Sequence, residues 1–192
     1  MSERDIKIVR FVCNPIQENC YVVSDSTGEA VIVDCGAYFP EEKQAIQQYI
    51  SDNNLKVRHL LVTHNHFDHV FGNDFMDETY GLQPFGRSKE SGLWELQPET
   101  VSFGNHTFEI IPAPGHSPDG VVYYCRKEQV AFTGDTLFKQ SYGRTDLEGG
   151  NYDTLMATLH KLTVVLPSDT QLLPGHGGHT YMDDELEWIK SY

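Results

Sequence analysis

The segment Thr63-His64-Asn65-His66-Phe67-Asp68-His69 constrains the fold more than any other part of the chain. Four of its seven residues are of types that bind metal ions through imidazole or carboxylate groups. The apolar run Leu60-Leu61-Val62 leads directly into it and predicts a buried strand. Unpaired imidazoles at the end of such a strand would cost free energy unless something binds them. The segment therefore predicts a metal centre at a strand end.

Three later segments place a histidine or an aspartate beside a glycine, directly after a strand-like run. They are Pro114-Gly115-His116-Ser117-Pro118, Thr133-Gly134-Asp135-Thr136 and Leu173-Pro174-Gly175-His176. With the first segment they supply seven candidate metal ligands: His64, His66, Asp68, His69, His116, Asp135 and His176. Seven ligands exceed what one tetrahedral ion uses and divide into two sites that share a carboxylate. Because the set is all imidazole and carboxylate, we expect two divalent ions, zinc first, with iron or manganese as alternatives.

The order of these residues resembles the signature of the metallo-β-lactamase superfamily, over residues 64 to 176. The resemblance implies an α/β fold, an αββα sandwich of two mixed β-sheets with helices on the outer faces. It also implies one metal ion on His64, His66 and His116, and a second on Asp68, His69 and His176. Asp135 would bridge the two ions, and Asp68 and Asp135 would be the catalytic carboxylates. Many β-lactamases use cysteine for the second metal where this chain has Asp135, which argues against antibiotic hydrolysis.

The stretch Gly134-Asp135-Thr136-Leu137-Phe138, followed by Ser141-Tyr142-Gly143-Arg144-Thr145-Asp146, resembles the glyoxalase II branch of that superfamily. The resemblance implies hydrolysis of a small-molecule acyl thioester, in the manner of hydroxyacylglutathione hydrolase. A water shared by two dications loses a proton near neutral pH, and a thiolate leaves without protonation. We predict that Arg144, with Lys139 and Tyr142, contacts carboxylates of the substrate. For Arg144 an internal ion pair or a solvated charge is an equal alternative.

A second interpretation is a mononuclear iron dioxygenase that acts on a thiol persulfide. Similar Gly-Arg-Thr-Asp runs occur in persulfide dioxygenases, and His64, His116 and Asp135 would form a two-histidine, one-carboxylate triad. Ligand spacing alone does not separate this enzyme from the hydrolase. A non-catalytic metal-binding module or a diiron electron-transfer domain is a weaker alternative, because the diiron relatives typically carry glutamate where this chain has His66.

Composition sets the remaining expectations. The 192 residues, 39% of them hydrophobic, are expected to form one domain over residues 1–192. The net charge of -14 disfavours nucleic acid as a partner, because phosphate binding depends on clustered lysine and arginine. We expect no membrane segment, since no apolar run approaches about 20 residues. Four scattered cysteines and the lack of an apolar leader predict a cytoplasmic protein. The oligomeric state stays open.

Hydrophobic periodicity predicts the order of the elements. Strands are expected at Ile6 to Cys13, Cys20 to Ser24, Ala30 to Asp34, Val57 to Thr63, Phe103 to Ile111, Val121 to Phe132 and finally Thr170 to Leu173. The polar patch Arg126-Lys127-Glu128 is expected to split the region Val121 to Phe132. Helices are expected from Glu41, over Asp68 to Tyr80, around Leu155 to Leu162 and over Asp183 to Tyr192. Asp34 is expected to support the site without binding metal. For His179 a position at the rim or behind a ligand is the less favoured alternative.

Overall fold

The computed structural model describes residues 5–192, which form two β-sheets packed face to face with helices outside. The strands are β1 (Ile6–Cys13), β2 (Glu18–Asp25), β3 (Glu29–Val33), β4 (Lys56–Leu61), β5 (Thr100–Phe103), β6 (His106–Pro112), β7 (Val121–Cys125), β8 (Val130–Gly134), β9 (Leu137–Phe138), β10 (Ser141–Tyr142), β11 (Gln171–Pro174) and β12 (Thr180–Tyr181). The helices are α1 (Pro40–Asp52), α2 (Phe67–Val70), α3 (Asn73–Tyr80), α4 (Tyr152–Val165) and α5 (Met182–Ile189).

The first sheet has the strand order β1-β2-β3-β4. Its first three strands form an antiparallel meander, and β3 pairs in parallel with β4 after the crossover through α1. Helix α1 begins at Pro40, where proline's missing N–H is not needed, and Glu42 accepts a hydrogen bond from the Phe39 N–H at 3.0 Å. Its apolar face buries Ile46 and Ile50 against the sheet.

The second sheet has the order β12-β11-β8-β7-β6-β5. Its pairs are antiparallel except for β8 and β11, which run in parallel and are joined through α4. The side chain of Asn151 caps α4 by accepting a hydrogen bond from the Thr154 N–H at 2.8 Å. A separate two-stranded ribbon pairs β9 with β10.

Three apolar clusters divide the core among the layers. One lies between the sheets and includes Val23 from β2 and Phe132 from β8. A second lies under α4 and α5, around Leu159, and the third lies under α1 and α3, around Ile46. Each sheet is therefore covered by apolar side chains on both faces. The layer order predicted from the resemblance, αββα with mixed sheets, is confirmed.

Three details of the predicted element order were wrong. The helix expected over Asp68 to Tyr80 is two helices that break at Gly72, because the Gly72 N–H donates to the Cys35 carbonyl oxygen at 2.7 Å and not to a carbonyl of the first helix. The strand expected over Phe103 to Ile111 is instead a hairpin that turns at Gly104, with φ at +49°. The chain also returns after β11 to form β12, so Thr170 to Leu173 does not hold the final strand.

No helix within residues 5–192 is long and apolar enough to cross a membrane.

Candidate metal centre

All seven candidate ligands follow strands that end at the same edge of the sandwich. β4 leads to His64 and His66, and α2 begins at once and carries Asp68 and His69 on its first turns. The loops after β6, β8 and β11 deliver His116, Asp135 and His176. Gly115, with φ at +135°, adopts a backbone conformation that strongly favours glycine, and the loop before His116 depends on it. Distant parts of the sequence therefore meet at one point.

The seven side chains form two groups that meet at Asp135. The nitrogen atoms of His64, His66 and His116 lie within 4.8 Å of one another, as do the ligand atoms of Asp68, His69 and His176. Asp135 Oδ2 lies 3.6 Å from His116 Nε2 in the first group and 3.5 Å from His176 Nε2 in the second. The Asp135 carboxylate thus lies between the two groups and is close to both.

The donor atoms of the two groups fit divalent cations. His64 Nε2, His69 Nε2 and Asp135 Oδ1 are buried and make no hydrogen bond among residues 5–192. Asp135 Oδ1 is 3.3 Å from His69 Nε2, but the contact lacks hydrogen-bond geometry. Buried polar atoms without partners are costly, and a cation beside them removes that cost. The donor set suits zinc, iron or manganese.

Two oxygen acceptors behind the ligands fix which imidazole nitrogen faces the centre. His69 Nδ1 is 2.9 Å from Asp34 Oδ2, and Asp34 is itself held by the Thr63 N–H and hydroxyl, each at 2.7 Å. His116 Nδ1 is 2.7 Å from the carbonyl oxygen of Arg144. Acceptors of this kind orient a metal-binding imidazole and raise its basicity. Asp34 thus supports the site from behind, as expected from the sequence.

A glycine allows the second of these contacts. A side chain at Gly143 would lie 1.9 Å from the Asp135 carbonyl oxygen and 2.8 Å from His116 Nδ1. Only glycine therefore lets the loop after β10 come close enough to present the next residue's carbonyl to His116. This gives the Gly143-Arg144 pair a role through the backbone, which the sequence did not reveal.

Before any cation binds, histidines of the two groups differ in how readily they hold a proton. Burial, with the neighbouring His69 and His116, holds the pKa of His64 well below its usual value. Burial also opposes protonation of His69, but the charges of Asp34 and Asp135 outweigh it and raise the pKa of His69 well above its usual value. The pKa of His176 is raised in the same way, mainly by its contact with Asp68. His64 is therefore ready for a cation, while His69 and His176 must first release protons.

Two polar residues at the start of β2 were missed by sequence reasoning. Glu18 is fully buried, and burial raises its pKa well above the usual range; its Oε1 lies 4.0 Å from His69 Nδ1. The side-chain amide of Asn19 donates to the carbonyl oxygens of Pro174 and Gly177, both at 2.9 Å, on either side of His176. The available signal was a Glu-Asn pair that opens an otherwise apolar strand, since buried polar residues need partners.

A cavity of about 840 Å³ opens onto the metal centre, and His66, His116, Asp135 and His176 are in its wall. Arg144 also lines it, but its guanidinium is held by Asp146 through two hydrogen bonds of 2.6 and 2.7 Å. The ion-pair alternative for Arg144 is thus the one that the structure shows.

The other two predicted substrate contacts lie elsewhere. Neither Lys139 nor Tyr142 lines this cavity. The Tyr142 ring instead stacks on Trp188, 6.0 Å between centroids, because the β9–β10 ribbon packs against α5. His179 lines a separate groove with Arg10 and Tyr21, and not the cavity beside the ligands, so the less favoured alternative for it is not the one that the structure shows. The loop after His176 carries it away from the centre.

Comparison with known proteins agrees with this architecture. The chain belongs to the metallo-beta-lactamase superfamily, whose profile matches residues 13–98 and 78–176. It is 30% identical to the hydroxyacylglutathione hydrolase GloC of Haemophilus influenzae, over 88% of this chain and 90% of that protein. It is 32% identical to the probable metallo-hydrolase YqgX of Bacillus subtilis, over 89% and 90% of the two chains.

Solved structures share the fold. The BLEG-1 B3 metallo-beta-lactamase superposes with a TM-score of 0.84 at 32% identity, covering 94% of this chain and 97% of that one. ETHE1 from Myxococcus xanthus gives 0.80 at 25% identity, covering 94% and 82%. TTHA1623, solved in a di-iron-bound form, gives 0.78 at 30% identity, covering 93% and 97%. The chain is therefore a metallo-hydrolase-type protein whose His and Asp clusters suit divalent ions.

Proposed function

We propose that the protein hydrolyses acyl thioesters, with two zinc ions as the expected cofactor and a small molecule in the cytoplasm as the substrate. The single observation that carries the proposal is the pair of ligand groups that share Asp135 at the wall of an open cavity. When bound, two divalent ions supply an ionised water near neutral pH and polarise a carbonyl oxygen. The similarity to the hydroxyacylglutathione hydrolase GloC supports the thioester class.

The protonation of the lining carboxylates also favours a thioester. Burial opposes ionisation of Asp68 and Asp135, but contacts with His176 and His69 outweigh it and lower both pKa values. Both carboxylates therefore stay ionised near neutral pH and can accept a proton but not donate one. A thiolate, with a free thiol pKa of about 8.5, leaves without protonation, whereas an amide nitrogen needs a general acid.

An iron oxygenase remains the second candidate, because His64, His116 and Asp135 lie together and TTHA1623 is a di-iron-bound neighbour. The deciding experiment measures three quantities on protein purified without added metal: metal content, thiol release from S-acyl thiols, and oxygen uptake with a thiol persulfide. We expect about two divalent ions per chain and thiol release without oxygen uptake. One iron per chain, with oxygen uptake and no thiol release, would overturn the proposal in favour of the oxygenase.

A further inference from the structure

Four large apolar side chains stand exposed around the cavity that opens onto the metal centre. Ile16, Leu93 and Leu147 come from three separate loops and Phe67 from the start of α2, and their exposed fractions are 49% for Ile16, 58% for Phe67, 55% for Leu93 and 40% for Leu147. Exposed apolar residues are ordinary when scattered, but a contiguous group beside a concave site marks a binding surface. Apolar side chains from four separate segments thus line one opening.

An aromatic run extends this apolar surface away from the metal centre. The Phe67 ring is 5.4 Å from Phe71, and Phe71 is 4.8 Å from Tyr38. Tyr38 is in turn 5.1 Å from Phe39, and both are exposed. An extended apolar group of a bound substrate can therefore contact these rings beyond the cavity wall. We name Ile16, Phe67, Leu93 and Leu147 the apolar rim.

The charges of the cavity wall do not match a substrate that carries carboxylates. Arg144 is held by Asp146, and the charge of Asp119 is matched by the buried Arg87. Glu148 also lines the cavity and has no ion-pair partner in the described chain. Among the described residues, the wall beyond the metal ligands therefore offers no unpaired cation and one unpaired anion. The two carboxylates of glutathione meet only Arg144 here, and Asp146 already holds that cation.

We propose that the apolar rim binds an alkyl or aryl group of the thioester, so that the substrates are thioesters with an extended apolar substituent rather than glutathione thioesters. The inference rests on the proposed thioester hydrolysis and specifies its substrate class. Each methylene that the rim covers leaves water, and this favours binding by roughly two- to fourfold. The apolar substituent lies on the acyl side or on the thiol side, and two substrate series distinguish these.

The experiment measures kcat/KM for two matched series on the metal-loaded enzyme. One series lengthens the acyl group, from acetyl through butanoyl to hexanoyl, on the neutral thiol N-acetylcysteamine. The other keeps the acetyl group and lengthens an alkanethiol from two to six carbons. We expect kcat/KM to rise by roughly two- to fourfold per methylene in at least one series. A flat or falling dependence in both, or a tenfold preference for S-acetylglutathione over S-acetyl-N-acetylcysteamine, would overturn the inference while thioester hydrolysis stands.

Variants connect the chain-length dependence to the apolar rim. In whichever series depends on chain length, the double variant Leu93→Ser/Leu147→Ser should lower the six-carbon-to-two-carbon ratio of kcat/KM by fivefold or more, whereas Val164→Ser should leave it unchanged. Val164 is 85% exposed and lies on α4, outside the cavity wall. An equal ratio in wild type and double variant would overturn the assignment of these residues.

A non-hydrolysable hexyl thioether separates this inference from the proposed function. Calorimetry should detect its binding to the metal-loaded wild type, and at least fivefold weaker binding to Leu93→Ser/Leu147→Ser. If no thioester is hydrolysed, the proposed function fails, and thioether binding still decides whether the rim holds an apolar group. No binding to the wild type would overturn the inference.

Discussion

Single residues decide how tightly each ligand group holds its protons. His64 and His66 of the first group have lowered pKa values, mainly through burial, so these two imidazoles are neutral near pH 7. His69 and His176 of the second group have raised pKa values, because nearby carboxylates outweigh the effect of burial. A cation must displace protons from His69 and His176 but not from His64 and His66. Metal binding to the two groups should therefore respond differently to pH.

The pH dependence can be measured one group at a time. His66→Ala weakens the first group and leaves the second, whereas His176→Ala does the reverse. Raising the pH from 6 to 8 should strengthen zinc binding in His66→Ala by up to about tenfold per pH unit for each proton displaced. The increase in zinc affinity of His176→Ala over the same pH range should be smaller, because His64 and His66, which bind the ion in that variant, have lowered pKa values. Competition with a chromophoric chelator measures both affinities, and equal pH slopes would contradict this account.

Asp135 carries the charge that both groups share. Asp135→Asn keeps the size of the side chain but removes the negative charge, so two nearby cations lose their common anion. We expect metal affinity and turnover to fall together by about 10- to 100-fold. Elemental analysis after dialysis gives the metal content, and thiol release gives the turnover. Asp146→Asn is the matched control, because that carboxylate pairs with Arg144 and does not contact the ligands. Normal metal content in Asp135→Asn would show that Asp135 does not bridge the two ions.

Single elements position the ligands, and the loop between β11 and β12 is the clearest case. This loop carries His176 and contains three glycines, so it needs external support. Asn19 at the start of β2 supplies it, with hydrogen bonds to the carbonyl oxygens of Pro174 and Gly177. The Asn19 N–H also donates to the Gly175 carbonyl at 2.7 Å. The position of one ligand from the second sheet thus depends on a strand of the first.

Asn19→Ala removes the two side-chain hydrogen bonds and should lower the free energy of unfolding by about 1–3 kcal/mol. Zinc binding should weaken more in the Asp68–His69–His176 group than in the other, because only His176 loses its support. Tyr21→Phe is the control, since the Tyr21 hydroxyl donates to the Pro174 carbonyl oxygen, at 2.7 Å, and does not span the loop. Denaturant titration and metal analysis measure both effects. Equal metal loss in Asn19→Ala and Tyr21→Phe would show that the two Asn19 hydrogen bonds on either side of His176 do not contribute to metal binding.

At the scale of the whole molecule, a buried polar network joins the two sheets at the end away from the metal centre. His106 at the start of β6 contacts Asp25 through Nδ1 at 3.0 Å and Glu128 through Nε2 at 2.9 Å. Asp25 ends β2, the strand that begins beside His69 with Glu18. At about 3.3 Å per residue, the length of β2 separates the network from the metal ligands by roughly 20 Å.

His106→Ala leaves two buried carboxylates without their shared partner and should lower the free energy of unfolding by about 3–5 kcal/mol. Metal content should not change while the protein is folded, because the network lies far from the ligands. His59→Ala is the comparison. His59 is partly exposed and makes one hydrogen bond, of 3.2 Å, with the Ser102 carbonyl oxygen, so its removal should lower the free energy of unfolding much less. Denaturant unfolding measures both variants. Metal loss in folded His106→Ala would show that the two ends of the sandwich are coupled.

The sequence by itself determined the features that depend on local pattern. Apolar periodicity gave most strands and helices. The histidine-rich segment from His64 to His69, and a glycine beside His116, Asp135 and His176, marked the seven candidate ligands, which the structure brings together. Local pattern failed where a distant contact decided the outcome, as at Gly72, whose N–H donates to the Cys35 carbonyl oxygen. The two-residue strand β12 was missed because so short a segment has no periodicity of its own.

Only the tertiary structure decided which groups support the ligands and what surrounds them. Asp34 is 35 residues from His69, and Asn19 is more than 150 residues from the carbonyls that it holds. The apolar rim likewise combines three loops and the start of α2, which no spacing rule connects. Arg144 shows the same limit. The sequence motif predicted that Arg144 lies beside the site, but its ion pair with Asp146 depends on the conformation of the loop. Side-chain type and spacing follow from local chemistry, whereas partners are chosen by the packing of two sheets, and packing is a property of the whole fold.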